Sequence, residues 1–281
     1  MSAYWPGFIG KEHRKMKTAQ VSTGSPATGP DILPVRTIEI LELLAIALRD
    51  FRASYVYGLS ISGIYTVGGW VLVLLLVYFE LPYLVYPLAA GFALIAPFIA
   101  IAFYAVSRSI ERGETLSWRG ILNSVRTAAR GDLGWMALVT GFSLFIWMDI
   151  AALLFFGFIG LKPFDIQELL RVIFTTPMGL LFLMIGNGVG AILAFAVFSF
   201  SVISFPMLFD RDVDFVTAMI TSVKVVLTNR KAMTVWCITI AILIGLSLLS
   251  GLIGLLVILP ILGHASWHLY RRAIPNRPVD G

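Results

Sequence analysis

Apolar stretches long enough to cross a bilayer alternate along this chain with short charged segments of helical period. The stretches are residues 55–79, 83–106, 133–159 and 178–205, followed by one long apolar run from Met233 to Tyr270. As a single helix that last run would be about 57 Å long, against a hydrocarbon core of about 30 Å. It therefore turns back, and Ser250-Gly251 is the place, giving a fifth span from about Lys231 and a sixth from about Leu252. Between the spans the period changes. In residues 36–52, Ile38, Leu41, Leu44, Ala45, Leu48 and Phe51 recur at helical spacing, with Glu39, Glu42, Arg49 and Arg52 largely elsewhere on the wheel. This predicts an amphipathic helix that lies at the membrane interface or docks on the bundle. In residues 108–132, Trp118, Ile121, Leu122, Val125 and Ala129 share one face and Arg119, Asn123, Arg126 and Arg130 the other, with Ser117 placed to cap the start. Shorter amphipathic segments are predicted at 164–174 and from Phe215 to Val226.

The predicted fold is all-α: a polytopic membrane helix bundle of six transmembrane helices with cytoplasmic amphipathic segments. Residues 1–34 read as a disordered cytoplasmic tail, 35–275 as one membrane domain and 276–281 as a second short tail. Gly58, Ser60, Ser62, Gly63, Gly68 and Gly69 line the first half of span one, where small residues let helix backbones approach. Pro97 and Pro260 are expected to kink spans two and six. Composition agrees: 58% of residues are apolar and 13% charged, against about 45–50% and 25% in soluble domains. The net charge is +5, and its distribution argues for a membrane rather than nucleic acid. With both termini cytoplasmic, all but two of the 21 Lys and Arg residues, Lys162 and Arg171, lie inside. That asymmetry is what the positive-inside rule requires. The expected location is a bacterial inner membrane. The order span, charged cluster, amphipathic segment, Trp, span occurs at 83–159 and again at 178–249, with Trp135 and Trp236 in matching places. It is either a parallel duplication or the shape any two cytoplasmic hairpins share.

Several motifs together carry a family resemblance over residues 35–275: Arg49-Asp50-Phe51, Gly68-Gly69-Trp70, Ser107-Arg108 with Glu111-Arg112-Gly113, Phe205-Pro206-Met207 with Asp210-Arg211-Asp212, and Gly263-His264-Ala265-Ser266-Trp267-His268-Leu269-Tyr270-Arg271. The chain resembles an uncharacterised bacterial family of predicted integral membrane proteins, a domain of unknown function. A Gly-Trp pair tends to precede Arg-Asp-Phe in that family, where Ala47-Leu48 stand here. The resemblance implies the architecture and supplies no activity. Some members carry the label cytochrome c oxidase subunit I. An oxidase catalytic subunit needs several intramembrane histidines for its haems and copper, whereas this chain has three histidines, and His13 lies in the tail.

The candidate chemistry is sparse. His264 and His268 lie one turn apart on one helix face, a spacing that suits either a metal or haem site or hydrogen bonds to neighbouring helices. Asp149 in span three is an intramembrane acid, and Asn187 in span four stands at a similar depth, among Gly186, Gly188 and Gly190. An acid there is a functional candidate by default: a proton or cation relay in one reading, a hydrogen bond holding two helices in the other. Arg108, Glu111 and Arg112 and, in the later hairpin, Asp210, Arg211 and Asp212 form charged clusters expected to pair between the two hairpins. The single cysteine, Cys237, excludes an intramolecular disulfide and a thiolate metal cluster. No phosphate loop, nucleophile triad or zinc spacing is present. The expected function is non-enzymatic: a scaffold or accessory protein that binds lipid, through anionic headgroups on Arg119, Arg126, Arg130 and Lys224, or binds another membrane protein or its own copy. A transporter or channel built on Asp149 and Asn187, and a haem or metal redox protein built on His264 and His268, are the alternatives. No cofactor is otherwise implied.

Overall fold

The computed structural model describes residues 31–79, 85–160 and 166–275. Most of the tail expected at 1–34, the turn at Glu80-Leu81-Pro82 and the end at 276–281 lie outside the described residues. Within them the chain is helical, in the order α1 (Glu39–Ala53), α2 (Tyr55–Tyr78), α3 (Val85–Glu111), α4 (Trp118–Arg130), α5 (Leu133–Phe158), α6 (Ile166–Thr175), α7 (Pro177–Ser201), α8 (Ser204–Asp210), α9 (Phe215–Thr228), α10 (Arg230–Leu249) and α11 (Leu255–Ala273). Four segments are long and apolar enough to cross a membrane: Tyr55–Tyr78, Leu133–Phe158, Pro177–Asp210 and Arg230–Leu249.

Helix starts follow the expected chemistry. Ser117 Oγ accepts from the Gly120 N–H at 3.1 Å, Thr176 Oγ1 from Gly179 at 3.0 Å, and Asp214 from Thr217 at 2.8 Å. Each satisfies a donor that has no partner within the helix. The fourth apolar stretch, read from the sequence as running to Phe205, instead breaks at Val202-Ile203 and restarts as α8, with Pro206 in its first turn. The groups freed by the break are taken up by α9. Ser222 Oγ accepts from the Ile203 N–H at 3.1 Å and donates to the Ser199 carbonyl at 2.7 Å.

The long C-terminal run does double back. Gly251 and Leu252 adopt φ of 65° and 69°, the left-handed conformation that reverses the chain between α10 and α11. A short segment ties the far ends of this hairpin together. Leu33 N–H donates to the Ala273 carbonyl at the end of α11 (2.9 Å), and Val35 N–H donates to Asn229 Oδ1 at the start of α10 (2.6 Å).

α11 is the hub, packed against α1, α2, α3, α8 and α10. Its small neighbours set how closely it is approached. A Cβ on Gly263 would lie 2.5 Å from the Phe103 ring of α3, and Ser62 of α2 donates to the Leu256 carbonyl at 2.9 Å. The buried face of α2 is Gly58, Ser62, Tyr65, Thr66 and Gly69, so three of its small residues face other helices, whereas Ser60 and Gly68 are exposed. Because protein surrounds α11, it tolerates polar residues that a lipid-facing helix would not. The aromatic core gathers at its second half, where Trp267 touches Tyr104, Phe209 and Tyr270 at ring separations of 6.2, 5.8 and 5.7 Å. By contrast α5 buries only Leu133, Met136 and Thr140, and α7 only Gly179. The two tryptophans of the apparent repeat differ: Trp236 is buried, while Trp135 is exposed and stacks on Phe215.

Of the two placements expected for α1, at the interface or docked on the bundle, it docks, through a face other than its apolar one. Ile38 and Leu41 are exposed, and the buried stripe is Glu39, Ile40, Leu43, Ala47 and Asp50. Two acids are buried because α11 presents His268 and Arg272 to them.

Candidate functional site

A polar network sits where α1, the end of α3 and the second half of α11 meet. α1 supplies Asp50, α3 supplies Ser107 and Glu111, and the one-turn spacing on α11 aims His264 and His268 at the same seam. Asp50 is 4% exposed, and Ser107 and His264 are fully enclosed. Ser107 Oγ donates to Asp50 Oδ2 at 2.9 Å. His268 Nε2 lies 2.7 Å from the same oxygen. Ser107 Oγ also lies 2.8 Å from His264 Nδ1. The single serine proton is spent on the carboxylate, so the serine oxygen accepts from His264, which carries its proton on Nδ1. His268 Nδ1 faces Glu111 Oε1 at 3.7 Å.

A second tier surrounds this one. Glu111 accepts from Trp267 Nε1 at 3.0 Å. Arg271 bridges Glu111 and Asp210 at 3.4 and 3.7 Å. Tyr270 donates its hydroxyl to Asp210 at 2.8 Å and accepts from Arg211 Nε at 2.9 Å. Arg272 reaches Glu39 at 2.9 Å. The two charged hairpin clusters therefore meet through α11 rather than through each other: Glu111 and Asp210 share Arg271. Arg112 instead pairs with its neighbour Glu114 at 3.8 Å. Arg108 stacks over Phe209 at 4.1 Å and donates to Ser124 at 3.2 Å. It lines a cleft of about 780 Å³ between α4 and the α8–α9 connection, where Asp212 and Asp214 lie at the exposed lip.

Electrostatics follow from these contacts. Burial alone would raise the Asp50 carboxyl, but the hydrogen bond and charge of His268 and the hydrogen bond from Ser107 outweigh it and hold the group below its ordinary value. Glu39 is also lowered, chiefly by the backbone N–H of Arg36, against the effect of burial and with help from Arg272. A carboxylate lowered on folding stabilises the fold above its unfolded pKa, and that contribution disappears as pH falls through the folded value. The destabilisation caused by Glu39→Gln is thus expected to be complete above about pH 4 and to vanish on further acidification. Thermal unfolding of wild type and variant in detergent across that range checks it.

His264 is committed at Nδ1 to Ser107, its Nε2 is buried without a hydrogen-bond partner among the described residues, and its ring stands 5.6 Å from Phe103. Among the described residues, no group of three or more His, Cys, Asp or Glu side chains is placed to hold a metal ion. Asp149 and Asn187 belong to neither tier. Both are exposed, on α5 and α7. Asn187 donates to the Leu183 carbonyl at 2.7 Å, and no hydrogen bond joins it to Asp149 among the described residues.

Reading residues for chemistry singly missed Asp50 and Ser107. A usable signal was present nonetheless, because the stretches that carried the family resemblance, from Arg49-Asp50 through Ser107 and Asp210 to His264–Arg271, converge on this one network. The helices and their apolar spans make the molecule an integral membrane protein of all-α architecture. Residues 85–210, from α3 to α8, match the family described as "predicted integral membrane protein (DUF2189)". No curated protein and no solved structure matches the chain.

Proposed function

We propose that the protein is a non-enzymatic scaffold of a bacterial inner membrane, which docks anionic lipid headgroups on the basic face of α4. The observation that carries this reading is a contrast in how charge is used. Glu39, Asp50, Glu111, Asp210, Arg271 and Arg272 are consumed in contacts inside the fold. Arg119, Arg126 and Arg130 are exposed on one face of α4 and make no ion pair among the described residues. Trp118 and Leu122, also exposed, flank them, and this combination suits a helix lying in the headgroup layer. Six spans complete the topology, with α3 and α11 added to the four apolar segments. The clustering of Glu111, Asp210 and Arg271 supports it, because it gathers the ends of α3, α8 and α11 on one side, which the positive-inside rule makes cytoplasmic. The enclosure of Ser107 supports a role without catalysis, since its hydroxyl has no path to a substrate.

Each arginine near an anionic surface contributes about 1 kcal/mol. The triple variant Arg119→Ala, Arg126→Ala, Arg130→Ala is therefore expected to lose most of the anionic lipid that the wild-type protein retains through mild detergent extraction. Its unfolding temperature is expected to stay unchanged. Quantifying the co-purified lipids tests the reading, and a wild-type protein holding zwitterionic and anionic lipid equally overturns it.

A further inference from the structure

The cleft beside Arg108 has a counterpart of opposite sign. The first sets Asp132, Asp210, Asp212 and Asp214 against Arg108 and Arg211. The second, of about 620 Å³, lies between residues 34–37 and the turn that joins α9 to α10; Arg36, Arg230 and Lys231 line it, and no acid does. Buried Asn229 assembles it. Its side chain accepts from Val35 N–H at 2.6 Å and donates to the carbonyls of Leu33 and Val225 at 3.3 and 3.1 Å, which clamps the segment before α1 onto the turn. Arg36 is thereby brought from the other end of the chain to the basic pair that opens α10.

The three cations keep donors to spare. Arg36 spends Nε on Glu39 at 3.3 Å, an acid that Arg272 also neutralises, and both its Nη groups remain. Arg230 spends Nε on the Leu227 carbonyl at 3.1 Å, which holds its guanidinium at the turn. Lys231 makes no hydrogen bond or ion pair among the described residues. Thr37 and Thr228, both exposed, add hydroxyls to the lining. Like charges gathered in one cleft repel one another, and an anion between them turns that repulsion into attraction.

The surroundings say which anion. Lys231 heads a stripe at helical spacing along α10, Val235, Ile238, Ile242, Leu246 and Leu249, all of it exposed. α10 is one of the four segments long and apolar enough to cross a membrane. The stripe therefore faces acyl chains, and the cleft at its head opens at the depth of the phosphates. We propose that this cleft binds one anionic phospholipid, its phosphate between Arg36, Arg230 and Lys231 and its chains along the stripe of α10. The site goes beyond the docking of headgroups on α4 and shares no residue with it.

The test uses the full chain in mild detergent, phosphatidylglycerol as the probe and native mass spectrometry as the readout. The Arg119→Ala, Arg126→Ala, Arg130→Ala variant is expected to keep one phosphatidylglycerol per chain in preference to phosphatidylcholine. Adding Arg230→Gln and Lys231→Gln is expected to weaken that retention about 25-fold, about fivefold for each cation. Both side chains are exposed, so the unfolding temperature is expected to hold. A phosphatidylglycerol with a photoreactive acyl chain is expected to label α10 between Val235 and Leu246. Lipid lost only on substituting residues 230 and 231 supports the proposal and overturns the α4 reading; lipid lost only on substituting α4 overturns the proposal. So does labelling confined to other helices, or displacement of the lipid by inorganic phosphate at equal concentration, because the stripe then contributes nothing.

Discussion

His268→Ala is expected to destabilise the folded protein by about 1.5–3 kcal/mol, the scale for losing a hydrogen bond to a charged group. The substitution removes the imidazole 2.7 Å from Asp50 and leaves a carboxylate that is 4% exposed with Ser107 as its remaining donor. Asp50 is almost closed off from solvent, so the α1–α11 seam must open or the carboxylate must take up a proton. A double-mutant cycle separates this effect from lost packing. Asp50→Leu and His268→Leu, each alone, strand a polar partner. Combined, they replace the pair by apolar side chains and are expected to cost clearly less than the two single losses added together. Thermal unfolding of the four proteins in one detergent measures the coupling, and additive losses would show that the pair does not hold the seam.

Trp267→Ala is expected to cost about 3–5 kcal/mol, the range for emptying a buried aromatic site. Trp267 is fully enclosed, lies between Tyr104, Phe209 and Tyr270, and donates its N–H to Glu111 at 3.0 Å. Its loss opens a cavity at the centre of the aromatic core and removes a donor from the acid that also holds Arg271. Trp267→Phe keeps most of the contacts and deletes the N–H, so its cost is expected to approach that of one hydrogen bond to a charged group, about 1.5–3 kcal/mol. If the two variants unfold at the same temperature, the indole's value lies in its hydrogen bond and the packing argument fails.

Helix positions were largely legible in the sequence. Apolar stretches at 55–79 and 133–159 became α2 and α5 almost to the residue, and Ser117 caps α4 as its position implied. What failed was rotation about a helix axis. The wheel of α1 ranked faces by apolarity alone and left Asp50 unplaced. The partners that turn it inward lie 57 and 218 residues away in the chain, beyond the reach of any local pattern. The same limit applied to Asp149 and Asn187. Their common depth was readable, but their direction depends on Trp147 meeting Gly190 and Phe155 meeting Phe182. The break before α8 was hidden because Ser222, on a different helix, supplies its hydrogen bonds.

The binding of Asp50 to His268 also fixes an order of events during synthesis. The ribosome delivers His268 long after the first helix has left the exit tunnel, so a nascent chain carries an unquenched aspartate at the bilayer surface until the final hairpin is inserted. Helices made in between can enter the lipid one after another, but the clasp between beginning and end shuts last. A chain stopped before Trp267 is expected to reach the membrane and yet remain unlatched, with α1 open to proteases that the finished molecule resists.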